Sequence, residues 1–200
     1  MGIKDIRRSY ILERAIKLFC EKSITEVKIK DVAQYCNIGE ATFYRYFSRK
    51  GALIIACALK LQEKVADYFA SDSEGSGYEK LSRFYYRFYE IFCDHREYYV
   101  FLSEFDALCI GEKVVDLGRY SDNLDVFKEQ YLAAYREGLS DGSVKEIWDI
   151  DLFYYSTTHA MLSLSKKLAV EAHIVRQDEL TDKRQEVRTV IEIILQSLKK

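Results

Sequence analysis

The sequence predicts an all-α fold, and three features of its 200 residues support this prediction. Proline is absent and glycine occurs only nine times, so few residues interrupt a helix interior. Apolar residues recur at spacings of three and four, which places them on one face of a helix. The alternation of apolar and polar residues that is typical of a strand does not occur.

Helical periodicity predicts the elements in chain order, and short polar segments separate them. The clearest turn signal is the run from Ser140 to Ser143, which contains aspartate and glycine. The predicted helices cover about residues 5–21, 29–36, 40–47, 49–70, 78–92, 98–109, 116–138, 149–169 and 181–198.

Composition favours some classes of protein over others. Hydrophobic residues make up 48% and charged residues 31%, as in a soluble globular protein. No apolar run approaches the ~18 residues of a membrane span, and the first ten residues lack the apolar core of a signal peptide. We therefore expect a cytoplasmic protein that does not bind membranes. Its five cysteines are expected to be reduced.

Charge is distributed unevenly along the chain. Residues 1–50 hold eleven Lys or Arg and six Asp or Glu, a balance of +5, while the remainder has a balance of -7. A basic module on an acidic body suits a protein that presents one end to a polyanion, although charge alone leaves random variation open. The predicted domains are residues 1–50 and residues 51–200.

The second and third predicted helices form a helix-turn-helix. Asn37 fits the turn between them, because asparagine tolerates a left-handed backbone conformation. Ile38 follows as an apolar plug, and Phe43 and Phe47 face inward at a spacing of four. This core would hold the third helix outward, so that its polar face can enter the major groove of DNA.

The stretch DVAQYCNIGEATFYRYFSRKGAL, which ends at Leu53, resembles the DNA-binding domain of the TetR family of transcriptional regulators. The match lies in the Thr-Phe-Tyr-Arg-Tyr-Phe run and in the lysine three residues later, and it covers about the first quarter of the chain. Asn37, Gly39 and Gly51 depart from the family's usual glycine, serine and acidic residue. The resemblance implies a homodimer that binds double-stranded operator DNA, with a helical second domain for ligand binding and dimerisation.

The resemblance also implies roles for single residues. Thr42 and Tyr44 would contact the DNA backbone and bases, Tyr46 would pack on the phosphate strand, and Lys50 would pair with a phosphate. Arg45 is the leading candidate for base contact, because a guanidinium suits O6 and N7 of guanine. A solvated surface charge is the alternative for each basic residue. The predicted DNA-binding set is Lys28, Lys30, Glu40, Ala41, Thr42, Tyr44, Arg45, Tyr46 and Lys50.

Most of the 16 tyrosines and 11 phenylalanines follow residue 71. They either pack in a core or line a cavity between helices, and the sequence leaves both open. The resemblance implies a cavity for a small-molecule effector, and the tyrosine share favours an amphipathic or aromatic one. The candidate effector-binding residues are Tyr85, Tyr89, Phe92, Phe101, Phe105, Tyr155 and His159.

The last two predicted helices carry long apolar stripes. The resemblance implies that these helices from two subunits form a four-helix interface, although the stripes also suit packing within one domain. Dimerisation makes physical sense, because two symmetric recognition helices read a near-palindrome. The candidate interface residues are Leu162, Val187, Ile191 and Ile194.

Motifs of an enzyme are missing from the sequence. It has no glycine-rich phosphate loop, no nucleophile elbow and no metal-ligand pair, and its three histidines are scattered. We expect no catalytic activity, no metal and no cofactor. The expected function is a transcriptional repressor that a small-molecule effector releases from its operator. The alternative is a DNA-binding regulator whose helical domain binds a protein partner and no small molecule.

Overall fold

The chain folds into α-helices, as predicted, in a computed structural model that describes residues 2–69, 74–112, 117–170 and 176–200. Within these ranges no strand forms, and the only β-type pairing is an isolated bridge between Val144 and Lys199. The helices are α1 (Ile3–Glu21), α2 (Ile29–Tyr35), α3 (Glu40–Tyr44), α4 (Lys50–Ala66), α5 (Gly77–Asp94), α6 (Arg96–Glu112), α7 (Gly118–Asp141), α8 (Ile150–Ala169) and α9 (Lys183–Leu198).

Two predicted helices end earlier than expected. The third helix was expected to reach residue 47, but α3 ends at Tyr44 and the chain tightens there, because the N–H groups of Tyr46 and Phe47 both donate to the Phe43 carbonyl. The fourth was expected to reach residue 70. Instead α4 gives way to a 3₁₀ turn at Asp67–Phe69. Residue 70 and the predicted helix start at residue 116 lie outside the described ranges.

The chain divides into two compact units. Unit 1 comprises Met1–Lys64 and Val100–Tyr120, and unit 2 comprises Val65–Tyr99 and Ser121–Lys200. Unit 1 is therefore larger than the predicted domain of residues 1–50, since it also takes most of α4 and the C-terminal part of α6. The functional boundary at residue 50 stays a prediction.

Unit 1 is built on the apolar stripe of α1. Ala15 and Phe19 are fully buried, and α2 packs against both α1 and α3. Phe101 of α6 completes this core, with its ring centroid 6.4 Å from that of Phe19. The helix-turn-helix therefore rests on a core to which a distant helix of the sequence contributes.

Unit 2 is built around α5, α8 and α9, which pack against one another. Side-chain caps define where each helix begins: Ser76, Asp149 and Asp182 accept hydrogen bonds from backbone N–H groups in the first turns of α5, α8 and α9, respectively. Because these caps satisfy N–H groups that lack partners inside the helix, they set the start of each helix within one residue.

Glycine allows α5 and α7 to meet backbone to backbone. A Cβ atom on Gly77 would lie 2.1 Å from the Gly138 nitrogen and 2.5 Å from the Ala134 carbonyl oxygen. The contact is reinforced because Asp141 accepts a 2.8 Å hydrogen bond from the Gly77 N–H, and Ser143 accepts one of 3.1 Å from the Tyr78 N–H. A side chain at Gly77 would have to separate the two helices.

We expect Gly77→Ala to lower the free energy of unfolding by about 3 kcal/mol, because the added methyl meets backbone that cannot rotate away. Gly51→Ala is the matched control. Gly51 lies in the first turn of α4, and a Cβ atom on it would meet nothing closer than 3.9 Å. The free energy of unfolding of that variant should rise by about 0.5–1 kcal/mol. Urea denaturation followed by circular dichroism measures both. Equal stability of the two variants would show that α5 and α7 separate without cost.

Candidate nucleic-acid interface

The turn between α2 and α3 depends on the backbone of Asn37. Its φ is +54°, which confirms the left-handed conformation predicted from the sequence. The Ile38 N–H then donates to the Ala33 carbonyl at 3.0 Å, so the turn closes directly onto α2. This conformation is unfavourable by roughly 1–2 kcal/mol for most residues, and it is less unfavourable for asparagine. The turn sets the direction in which α3 leaves α2.

The α3 segment is amphipathic, and its apolar side faces the core as predicted. Phe43 and Phe47 are buried, with ring centroids 5.7 Å apart. The Arg8 guanidinium lies 5.2 Å from the Phe47 ring centroid and covers it from the direction of α1. Because the apolar side packs on the core, the predicted DNA-binding residues of this segment face solvent. Glu40, Ala41, Tyr44 and Arg45 are exposed, and Thr42 and Tyr46 are half-buried.

A groove of about 450 Å³ runs beside the α3 segment. Thr42 and Tyr46 line it together with Arg7 and Tyr10 of α1 and with the turn residues from Asn37 to Gly39. The structure therefore brings two predicted DNA-binding residues together with a basic residue of α1. The sequence analysis did not predict that Tyr10 lines this groove. Its signal was its position three residues after Arg7, which places both on one helical face.

The three predicted lysines flank this surface at helix starts. Lys28 precedes α2, where its backbone N–H donates to Asp31 at 2.8 Å, and its side chain and that of Lys30 are exposed. Lys50 is the first residue of α4, and its ammonium donates to the Thr25 carbonyl at 3.2 Å. Lys50 is therefore held beside the loop between α1 and α2, a contact that the sequence did not predict.

The seven effector candidates occupy different environments. Tyr85 and Phe92 are buried in unit 2, where Tyr89 is half-buried. Tyr155 and His159 lie at the surface of that unit, with ring centroids 6.0 Å apart. Phe101 and Phe105 are buried in unit 1. Their predicted role in effector binding stays a prediction.

Tyr85 belongs to a buried hydroxyl network. Its hydroxyl oxygen lies 2.7 Å from the Thr157 hydroxyl and 3.2 Å from that of Tyr131, and the Thr157 hydroxyl donates to the Phe153 carbonyl. Burial raises the pKa of Tyr85 to about 12 and also raises the pKa of Tyr131, so both phenols are neutral at physiological pH.

Half-buried phenylalanine rings lie against this network. The Phe84 ring centroid is 5.1 Å from that of Tyr131, and Phe69 lies 5.4 Å from Phe84 and 4.8 Å from Phe127. We call Phe69, Phe84 and Phe127 the phenylalanine cluster. The sequence did not indicate that Tyr131 meets Tyr85, or that Phe127 meets Phe69.

Three of the four dimer candidates pack inside their own unit. Val187 and Ile191 are fully buried and Ile194 is 7% exposed, whereas Leu162 is half-buried. The predicted role of these four residues in dimerisation stays a prediction, and of the four, Leu162 has the most surface left for a partner. The apolar residues that α8 and α9 expose include Leu152 and Ile193, at 57% and 60%.

Among the residues that the structure describes, no group of three or more His, Cys, Asp or Glu side chains is arranged to hold a metal ion. In the same part of the chain, no helix is both long and apolar enough to cross a membrane. Burial raises the pKa of the Cys57 thiol well above its usual value, so this cysteine is a poor nucleophile.

Residues 11–57 match the family model described as bacterial regulatory proteins, tetR family. Two curated relatives from Bacillus subtilis (strain 168) each match about a quarter of the chain. The HTH-type transcriptional regulator YuxN is 34% identical over 50 residues, which is 25% of this chain and 17% of that protein. The HTH-type transcriptional regulator YvdT is 39% identical over 57 residues, 28% of this chain and 29% of that protein. The chain thus matches less than a third of the length of either relative.

Solved structures match along nearly the whole chain. A protein from Rhodococcus sp. assigned to the TetR family has a TM-score of 0.75 at 17% identity, covering 94% of this chain and 98% of that one. The fatty acid degradation regulator FadR from Bacillus halodurans has a TM-score of 0.66 at 15% identity, covering 98% and 96%. The ketosteroid transcriptional regulator KstR2 of Mycobacterium tuberculosis has a TM-score of 0.63 at 17% identity, covering 97% and 95%.

At these identities the structures establish the fold of the chain, while the family model accounts for its N-terminal sequence. The two agree, because the matched residues 11–57 contain the turn at Asn37 and the outward-facing α3 segment. Residues 11–57 of the chain therefore resemble the tetR family of bacterial regulatory proteins, and the chain as a whole shares the fold of the solved structures.

Proposed function

We propose that the chain is a transcriptional regulator that binds operator DNA as a symmetric dimer. One observation carries this proposal: the α3 segment is fixed by Phe43 and Phe47 and presents its polar side to solvent beside a groove lined by Arg7. A helix held in this way fits the major groove of DNA.

Base contacts would come from the outer side of α3. Tyr44 is 51% exposed and Arg45 is exposed, so both side chains can reach base edges without rearranging the core. Arginine donates two parallel hydrogen bonds to guanine O6 and N7. Gly39 and Ala41 are small and exposed, which allows the backbone of α3 to approach the duplex closely.

Phosphate contacts would come from cations at the ends of neighbouring helices. Lys28 precedes α2, Lys30 lies in its first turn, Lys50 begins α4, and Arg7 lies in the groove. Each cation that pairs with a phosphate releases a counterion, which makes binding depend on salt. These contacts would fix the protein on the duplex, while Arg45 supplies sequence preference.

We expect Lys50→Ala to weaken binding to a fluorescein-labelled 30-bp duplex of mixed sequence and to lower the salt-dependence slope by about one unit. Arg45→Ala should instead change the sequences that are selected from a randomised duplex library. Lys17→Ala is the control, because Lys17 is exposed on α1 and pairs with Glu21 at 4.0 Å. If Lys50→Ala behaves like Lys17→Ala in affinity and slope, Lys50 does not bind phosphate.

Dimerisation would use the outer faces of α8 and α9. A groove of about 360 Å³ runs between them, and it is lined by Leu164 and Val190 together with polar residues of α9. Ile193 continues this face one turn after Thr189 and is 60% exposed. An exposed apolar side chain that continues the face of a groove lined by Leu164 and Val190 supports a contact that a partner would bury.

We expect Ile193→Asp to give folded monomers, because the interface would have to bury an unpaired carboxylate. Val126→Asp is the matched control, since Val126 is 51% exposed on α7 and should tolerate the change without loss of the dimer. Sedimentation velocity measures the oligomeric state, and circular dichroism checks the helix content. An Ile193→Asp dimer as tight as the unchanged protein would place the interface elsewhere.

Regulation would come from a small amphipathic or aromatic molecule that releases the protein from DNA, so that the protein acts as a repressor. The phenylalanine cluster and the adjoining hydroxyls of Tyr85 and Tyr131 support this, because half-buried rings beside hydroxyls suit an apolar ligand with one polar end. The named roles of FadR and KstR2, fatty acid degradation and ketosteroid regulation, fit the same ligand chemistry.

We expect 1-naphthol, as a probe of this chemistry, to raise the melting temperature of the protein and to weaken its binding to the selected duplex. Phe84→Ala should remove both effects, because the Phe84 ring joins the cluster to Tyr131. Tyr10→Ala, on the DNA-facing groove, should leave the thermal shift intact. Titration calorimetry with 1-naphthol and dodecanoic acid then decides the ligand class. If neither binds, the alternative of a protein partner is favoured.

A further inference from the structure

The loop between α1 and α2 is anchored by one apolar residue and two polar contacts. Ile24 is fully buried, while Ser23 on one side is half-buried and Thr25 on the other is exposed. Two charged side chains from later in the sequence reach this loop, Lys50 of α4 and Glu104 of α6. All five residues belong to unit 1.

Glu104 binds the loop through one carboxylate oxygen. Its Oε2 accepts a 2.6 Å hydrogen bond from the Ser23 hydroxyl and a 3.1 Å hydrogen bond from the Ile24 N–H. Hydrogen bonds to an ionised carboxylate are shorter and stronger than those between neutral groups. Glu104 is half-buried, so water screens these bonds less than it would at the surface.

The Glu104 carboxylate also orders the hydroxyls of the loop. Ser23 has one hydroxyl proton, and donating it to Glu104 leaves only its lone pairs for other partners. The Thr25 hydroxyl, 2.8 Å away, must then donate to Ser23, as the Thr25 N–H does at 3.3 Å. The bonds therefore run in one direction, from Thr25 to Ser23 to Glu104, and they fix the peptide that follows Thr25.

That peptide carries the carbonyl that holds Lys50. The Thr25 oxygen accepts from the Lys50 ammonium at 3.2 Å, so the loop lies between the carboxylate of α6 and the ammonium of α4. A lysine side chain loses rotamer freedom when it is fixed in one position. A lysine side chain that the loop already holds loses less rotamer freedom when it binds a phosphate.

We infer that Glu104 is a positioning residue for DNA binding: it fixes the α1–α2 loop so that the Thr25 carbonyl presents the Lys50 ammonium to a phosphate. The inference rests on the proposed role of Lys50. The expected change in DNA affinity on removing Glu104 is opposite to the change that charge alone would cause. Removing a carboxylate from a DNA-binding unit strengthens binding through charge alone, whereas loss of this loop contact weakens it.

The test uses the full-length protein and the 30-bp mixed-sequence duplex, with anisotropy measured over a range of salt. We expect Glu104→Ala to weaken binding about threefold, comparable to the loss of one phosphate contact. Glu104→Gln should fall between Glu104→Ala and the unchanged protein, because its amide oxygen still accepts both hydrogen bonds but lacks the charge that strengthens them. Glu26→Ala is the matched control, since Glu26 is an exposed carboxylate in the same loop. It should bind as well as the unchanged protein or better.

A double-mutant cycle separates this role from a purely structural one. In a Lys50→Ala background, Glu104→Ala should cause no further loss, because its effect passes through Lys50. The inference is overturned if Glu104→Ala strengthens binding as Glu26→Ala does, or if it weakens binding equally with and without Lys50. If Lys50→Ala itself changes neither affinity nor slope, the phosphate role of Lys50 and this inference both fail.

Discussion

The proposed DNA-facing surface depends on one backbone conformation, that of Asn37. With φ at +54°, the chain reverses within two residues and the Ile38 N–H returns to the Ala33 carbonyl. A right-handed residue at this position would carry α3 off in another direction, and Phe43 and Phe47 could not both reach the core. The exposure of Tyr44 and Arg45 follows from that packing. The recognition surface is therefore set by a residue that need not touch DNA.

Local sequence patterns were enough to predict this part of the molecule. The spacing of Phe43 and Phe47, the turn at Asn37 and the starts of the last two helices all depend on residues within about one helical turn, where backbone propensities and caps act. The end of α3 was harder to predict. The aromatic run to Phe47 continues the helical spacing, while the backbone itself tightens after Tyr44.

Contacts between distant segments could not be predicted from one sequence. The carboxylate of Glu104 contacts the α1–α2 loop 80 residues away. Neither segment has a sequence pattern that indicates which other segment it contacts. Apolar stripes are ambiguous in the same way. Ile191 and Ile193 both lie on α9, but only packing determines that the first is buried in its own unit while the second is exposed. Periodicity shows that a helix has an apolar face, and it does not show what covers that face.

The contact between α5 and α7 has a consequence for genetics. Gly77 and Gly138 leave no space for a side chain, so nearly every missense change in the Gly77 codon forces two backbones apart. A screen for loss of regulation would therefore recover alleles at this position as readily as alleles in α3. Such alleles would act by lowering the amount of folded protein in the cell. Their distance in the sequence from the recognition helix would be a poor guide to where DNA or an effector binds.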